Sequence, residues 1–331
     1  MLAHYGLLGV GYGRERMVLT PDLSLAKPVG GGAQRTLRNP IGCVGTGLHT
    51  GAKVSLSLRP AEADSGIRIV RYDQPDRTPV PARYDHVCDT TMCTKLGLPG
   101  GLTIATIEHL MAALAACEID NALIELGGPE LPIMDGSAQP FVFLIECAGV
   151  VEQDRPRGWI EILKPITVCG QNKSARLEPA DRFEIDCAIH FDHPLIDHQS
   201  LQFTFTPDAF KAEIGRARTF GFAERIEELW SRGLGLGGSL KSAVLVSQDQ
   251  VLSDGGLRFP DEFVRHKVLD TIGDLYTAGA PIIGRFVGRR AGHTLHNQLL
   301  RALFADPRAW RLVTAPGIVE PAAPARRAAS A

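Results

Sequence analysis

The feature that most constrains this chain is an internal repeat, because a repeated order of motifs implies two like units that must pack on each other. Asn39-Pro40-Ile41 opens the run NPIGCVG, and Lys164-Pro165-Ile166 opens KPITVCG. Leu58-Arg59-Pro60-Ala61 is echoed by Leu177-Glu178-Pro179-Ala180, each followed by strand-like alternation (GIRIV, RFEIDCAI). IEHLMAALAACEIDNALIEL (107–126) then runs from a short helical pattern into a strand, as does RHKVLDTIGDLYTAGAPIIGRF (265–286), with His109 opposite His266. Three matches in one order predict two α+β halves joined near Asp154-Arg155-Pro156.

The spacing locates an insertion. Pro60 and Pro179 lie 119 residues apart, but His109 and His266 lie 157 apart, leaving about 38 extra residues in the second half. The region 222–255 fits best, with FAERIEELW as a short helix, SLKSAVLVS as an apolar strand and GLGLGG between them. Packed against each other, that helix and strand can leave an apolar passage. Residues 1–33 read as an N-terminal extension, 34–154 as the first domain, 155–315 as the second, and the Ala/Pro-rich 316–331 as a disordered tail.

Charge narrows the partners. Thirty-five Lys+Arg against 37 Asp+Glu give a net charge of −2, so no global field attracts nucleic acid or an acidic membrane. Any anionic ligand must be met by local cations, for which Lys267 and the Arg289-Arg290 pair are the candidates. No apolar run approaches the ~20 residues of a membrane-spanning helix. Seven cysteines without CxxC spacing fit a reducing cytoplasm.

The strongest chemical signal is Arg265-His266-Lys267-Val268-Leu269-Asp270-Thr271-Ile272-Gly273-Asp274. On a helix His266, Asp270 and Asp274 stand at i, i+4 and i+8, so all three project from one face. A surface His–Asp pair is the alternative. The matching segment carries Glu108-His109 into an apolar helix, where an ionisable pair is costly to bury unless paired or metal-bound. Pseudo-symmetry between His109 and His266 brings the two halves' ligands together. With Asp270 they form three protein ligands, the number a catalytic zinc site uses. His293 follows Gly292 and opens a helical pattern, and Thr219 stands in the strand-like run RARTFGF. His49 is the candidate for a fourth ligand, which would make the metal structural and the chain a binding module. His86, His190, His193 and His198 read as structural or surface residues.

TLRNPIGCVGTGLHTGAKVSLSLRPA, TIEHLMAAL, DNALIELGGPELPIMDGSAQPF, RARTFGF, GLGLGGSL, FVRHKVLDTIGDL and GHTLHNQLL together resemble the UDP-3-O-acyl-N-acetylglucosamine deacetylase family, the zinc amidases of bacterial lipid A synthesis. The likeness runs from about Gln34 to about Val313. It implies two β-α-α-β sandwich domains packed face to face, each with an insert, the second insert forming an acyl-chain tunnel. It implies one Zn²⁺ on His109, His266 and Asp270, Glu108 as general base, His293 as general acid and Thr219 at the oxyanion. Lys267 and Asp274 support the site and the nucleotide-sugar, while Phe220, Phe222, Ile226, Ser239, Leu240, Ala243 and Leu245 meet the substrate. The implied substrate is UDP-3-O-acyl-N-acetylglucosamine, handled by a monomer in the cytoplasm of a Gram-negative bacterium. Arg225 departs from the pattern, standing where an acidic residue is familiar. A zinc deacetylase for another acylated amino sugar is the rival enzyme reading.

Overall fold

The computed structural model describes residues 32–314, so the expected tail and all but the last two residues of the expected extension lie outside the described residues. The chain is α+β. Ala33–Leu37 is already a strand, paired antiparallel with Val150–Pro156.

Two large sheets carry the fold. The first runs in the order Ile41–Thr46, Lys53–Pro60, Ala122–Leu126, Ile67–Arg71, Val80–Pro81. The second runs Ile166–Gly170, Lys173–Glu178, Ile282–Arg289, Phe183–His190, His198–Thr204. In both, the first two junctions are antiparallel, the third parallel and the fourth antiparallel. Gly158–Ile162 and Trp310–Thr314 extend the second sheet. Period-two patterning sets which face is core: Val54, Leu56 and Leu58 alternate inward, as do Ile185, Cys187 and Ile189.

Two helices lie at the centre. All nine residues of Glu108–Ala116 are buried, as are 13 of the 15 in Glu262–Tyr276, which is what helices apolar on most sides require. Each large apolar side chain so buried is worth roughly 1.5–3 kcal/mol. Their crossing depends on Gly273, where a Cβ would fall 1.9 Å from the Glu108 carbonyl oxygen. Any side chain there would force the helices, and the histidines they carry, apart.

The 222–255 region departs from its expected form. The strand is three residues, Val244–Val246, and pairs in parallel with Phe220–Phe222 instead of packing on the helix. The helix is Ile226–Ser231, with no fully buried residue. The reason is local: Ser239 and Ser242 tie a turn through their hydroxyls (3.0 Å) and backbone (3.0 Å), which removes the front of SLKSAVLVS from extended structure. Among the described residues, no helix is long and apolar enough to cross a membrane.

Candidate active site

Where the two central helices cross, His109, His266 and Asp270 converge, 3%, 1% and 2% exposed. His266 Nε2 lies 3.3 Å and His109 Nε2 3.6 Å from the same Asp270 Oδ1. Donors on ~2.0–2.2 Å bonds to one tetrahedral ion are separated by ~3.3–3.6 Å, so the spacing fits. The hydrogen bonds fit as well. His266 Nδ1–H donates to the Ala217 carbonyl (3.1 Å), leaving the Nε2 lone pair facing the carboxylate. Asp270 Oδ2 accepts from Lys267 Nζ (2.8 Å), whereas Oδ1 is buried without a hydrogen-bond partner. Burial pushes the His266 pKa down to about 3, so its imidazole is neutral. Burial opposes the Asp270 charge, yet the Lys267 ammonium beside it holds this carboxyl well below the usual range. The His266 lone pair facing a carboxylate oxygen at this distance repels it unless a cation lies between them, and the three residues can hold a metal ion.

One turn further along the helix is a second cluster. Asp274 Oδ2 accepts from His293 Nδ1 (2.7 Å) and His296 Nδ1 (2.8 Å), and its Oδ1 accepts from the Thr94 hydroxyl (2.6 Å). Burial disfavours a charged His293, but the Asp274 carboxylate outweighs it and pushes the pKa up to about 9. Glu108, 3% exposed, accepts from the Thr94 backbone N–H (3.1 Å), and burial raises its pKa. Thr94 therefore holds Glu108 and Asp274 on one backbone residue. No motif marks it in the sequence.

Thr219 is fixed by its backbone, donating to the Gly136 carbonyl (2.8 Å) and accepting from Val244 N–H (2.7 Å). The adjacent Arg218 forms a buried fork with Glu262 (2.8 and 3.0 Å), whose carboxylate also takes the backbone N–H groups of Arg218 and Arg258. This pair holds the loop before the strand Phe220–Phe222, whose Ala217 carbonyl orients His266, and sequence reasoning missed it. Of the expected acyl-chain residues, Phe220, Phe222, Ile226, Ala243 and Leu245 are half-buried, while Ser239 and Leu240 are exposed. Phe191 joins Phe220 and Phe222 at 5.5 and 5.6 Å, and His193 lies 5.1 Å from Phe222. His193 thus belongs to this aromatic cluster. Arg225 is exposed beside Glu228.

A cavity of about 400 Å³ is lined by Lys173, His190, Phe191, Lys267 and Arg290 among others. Arg289 is committed elsewhere, its guanidinium on Asp186 (2.8 Å), so the expected arginine pair splits and only Arg290 reaches the cavity. Lys173 stands at a hairpin turn with nothing in the sequence to single it out. His49 is not among the three converging ligands; its electrostatic neighbours are Glu130, Lys95 and His293.

An α+β chain with a buried His–His–Asp donor set, a carboxylate beside one ligand and a cationic imidazole on the neighbouring turn has the parts of a metal-assisted hydrolase. Residues 34–305 match the model of the UDP-3-O-acyl N-acetylglycosamine deacetylase family. The chain is 48% identical over 283 residues to the UDP-3-O-acyl-N-acetylglucosamine deacetylases of Shewanella halifaxensis (85% of this chain, 92% of the relative) and Chromohalobacter salexigens (85% and 93%). The chain belongs to this family.

Proposed function

We propose that the chain is a zinc-dependent hydrolase that removes acetate from UDP-3-O-acyl-N-acetylglucosamine, the committed step of lipid A biosynthesis, in the bacterial cytoplasm. Family membership supports the amide hydrolysis and its substrate. The single observation that carries the chemistry is the unpartnered Asp270 Oδ1 with two imidazole nitrogens aimed at it. A Zn²⁺ held by His109, His266 and Asp270 supplies Lewis-acid polarisation of the acetamide carbonyl and makes water a stronger nucleophile.

The chain's own residues divide the proton work. Glu108, whose proton affinity is raised by burial, takes the proton of the attacking water. His293, cationic through Asp274, gives its proton to the leaving amine. The Thr219 hydroxyl donates to the developing oxyanion. Asp274 orients His293, and Lys267 neutralises Asp270 and faces the cation-lined cavity, where Lys173 and Arg290 add charge for the UDP phosphates. Phe220, Phe222, Ile226, Ser239, Leu240, Ala243 and Leu245 form the acyl-chain wall. The identical strand order and sense of the two sheets support a duplicated β-α-α-β sandwich, with the ligands at the seam. Metal analysis of the purified protein together with turnover of the acylated UDP-sugar tests the reading: one zinc per chain and acetate release are expected, and acetate release unaffected by complete metal removal would overturn it.

A further inference from the structure

Glu130 lies in the GGPELP loop after the strand Ala122–Leu126 and is 1% exposed. Its carboxylate is surrounded by donors. It accepts from the backbone N–H of His49 (2.9 and 3.1 Å to its two oxygens), the backbone N–H of Thr50 (2.8 Å) and the hydroxyls of Thr50 and Thr106 (2.8 Å each). A side chain so engaged reinforces from within two pieces of backbone that the 129–133 segment already bridges, through Ala105–Glu130 on one side and Gly47–Pro132 on the other.

One piece leads into the reaction centre. Thr106 has φ +61°, a left-handed conformation unusual for a β-branched residue, and it immediately precedes Ile107-Glu108-His109. Strain of this kind persists only where the surroundings over-determine it. The bond to Glu130 is one such constraint. The other piece is the turn 47–51, seated so closely that a Cβ on Gly47 would fall 2.4 Å from Glu130 Oε2.

The far side of that turn touches the 222–255 insert. The carbonyls of Leu48 and His49 accept from the backbone N–H groups of Gly237 (3.0 Å) and Leu236 (3.1 Å). A Cβ on Gly237 would meet the Gly47 carbonyl oxygen at 2.1 Å. A continuous hydrogen-bonded path therefore runs from the insert through the turn to Glu130, and from Glu130 through Thr106 to the start of the helix bearing Glu108 and His109.

We propose that Glu130 is a positioning residue that holds the acyl-chain insert in register with the reaction centre, so that the enzyme's preference for an acylated substrate depends on it. The proposal rests on reading the insert as the chain site. Glu130→Gln keeps the shape but replaces one acceptor oxygen by a donor, leaving part of the donor set without a partner. Gly237→Ala disturbs the same path from its other end.

The test compares kcat and KM for the long-chain acylated UDP-sugar with those for the same UDP-sugar carrying no acyl chain, in the metal-loaded enzyme. Both variants are expected to keep full metal content and to lose about tenfold or more of the chain preference, seen mainly in kcat on the long-chain substrate. The double variant should lose less than the product of the two single losses, as residues on one path do. Ala243→Asp, in the insert itself, controls for the underlying reading. Preference lost in Ala243→Asp but intact in Glu130→Gln and Gly237→Ala would overturn the proposal alone. Preference intact in Ala243→Asp would overturn the insert as the chain site, and the proposal with it. A lower melting temperature with equal loss on both substrates would assign Glu130 a purely structural role and also overturn it.

Discussion

Two clusters of one aspartate and two histidines centre on Asp270 and Asp274, one turn apart on the helix Glu262–Tyr276. His266 in the first and His293 in the second hold opposite charge states. In the first, burial keeps His266 neutral, with its pKa down at about 3. In the second, His293 is pushed up to about 9. Residue type does not explain the difference. The partner of each carboxylate does. Lys267 neutralises Asp270 Oδ2, and the other oxygen, left without a hydrogen-bond partner, faces the Nε2 atoms of His266 and His109. Asp274 has no lysine and instead takes Nδ1–H from both His293 and His296. One arrangement wants a cation from outside, and the other stores a proton.

The comparison breaks most severely at the ligands. His266→Ala or Asp270→Ala should abolish metal binding and activity together, a loss beyond the roughly 10–100-fold that follows removal of an outer-shell partner. Stoichiometric zinc in purified His266→Ala, measured by elemental analysis, would refute the assignment. His293 is the proposed proton donor, so His293→Ala should keep its metal and lose roughly 10²–10⁴ in kcat, the usual worth of one general acid. Loss of metal in that variant would place His293 in the first cluster instead.

Smaller effects sharpen the picture away from the clusters. Ala243→Asp sets a charge at a half-buried position of the proposed chain wall and should lower kcat/KM for the long-chain substrate by roughly tenfold, about 1.4 kcal/mol. Unchanged efficiency would put the chain elsewhere. Arg290→Ala should raise KM roughly 10–100-fold, the ~1.5–3 kcal/mol of a charged hydrogen bond, while Arg289→Ala, already tied to Asp186, should leave KM within about twofold. Equal effects of the two would contradict the split of the arginine pair.

Much of this was legible before the structure. The i, i+4, i+8 placement of His266, Asp270 and Asp274 follows from helical periodicity, and the repeat places His109 opposite His266. Periodicity could not say that Asp274 serves a different cluster from Asp270, because that depends on Lys267, Thr94 and His296 arriving from both halves of the chain. Thr94, Glu130 and the Arg218–Glu262 pair had no local signal, since their roles arise from hydrogen bonds across 14 to 180 residues of sequence, and Lys173 had none because its hairpin meets the cavity only in the folded chain. The strand in SLKSAVLVS was misjudged in length because hydroxyl-closed turns compete with extended backbone.

The central claim, that Asp274 and not the metal cluster sets the charge of His293, is tested most directly by Asp274→Asn. His293 has a raised pKa, so its proton-donating form is present below about 9 and disappears as pH rises through that value. Its contribution to stability has the same sign, complete below the unfolded imidazole value of ~6.5 and lost as pH rises through about 9. In Asp274→Asn the alkaline limb of kcat/KM against pH should fall from about 9 toward ~6.5, with one zinc per chain retained. An alkaline limb left in place, or zinc lost along with the activity, would contradict the separation of the two clusters.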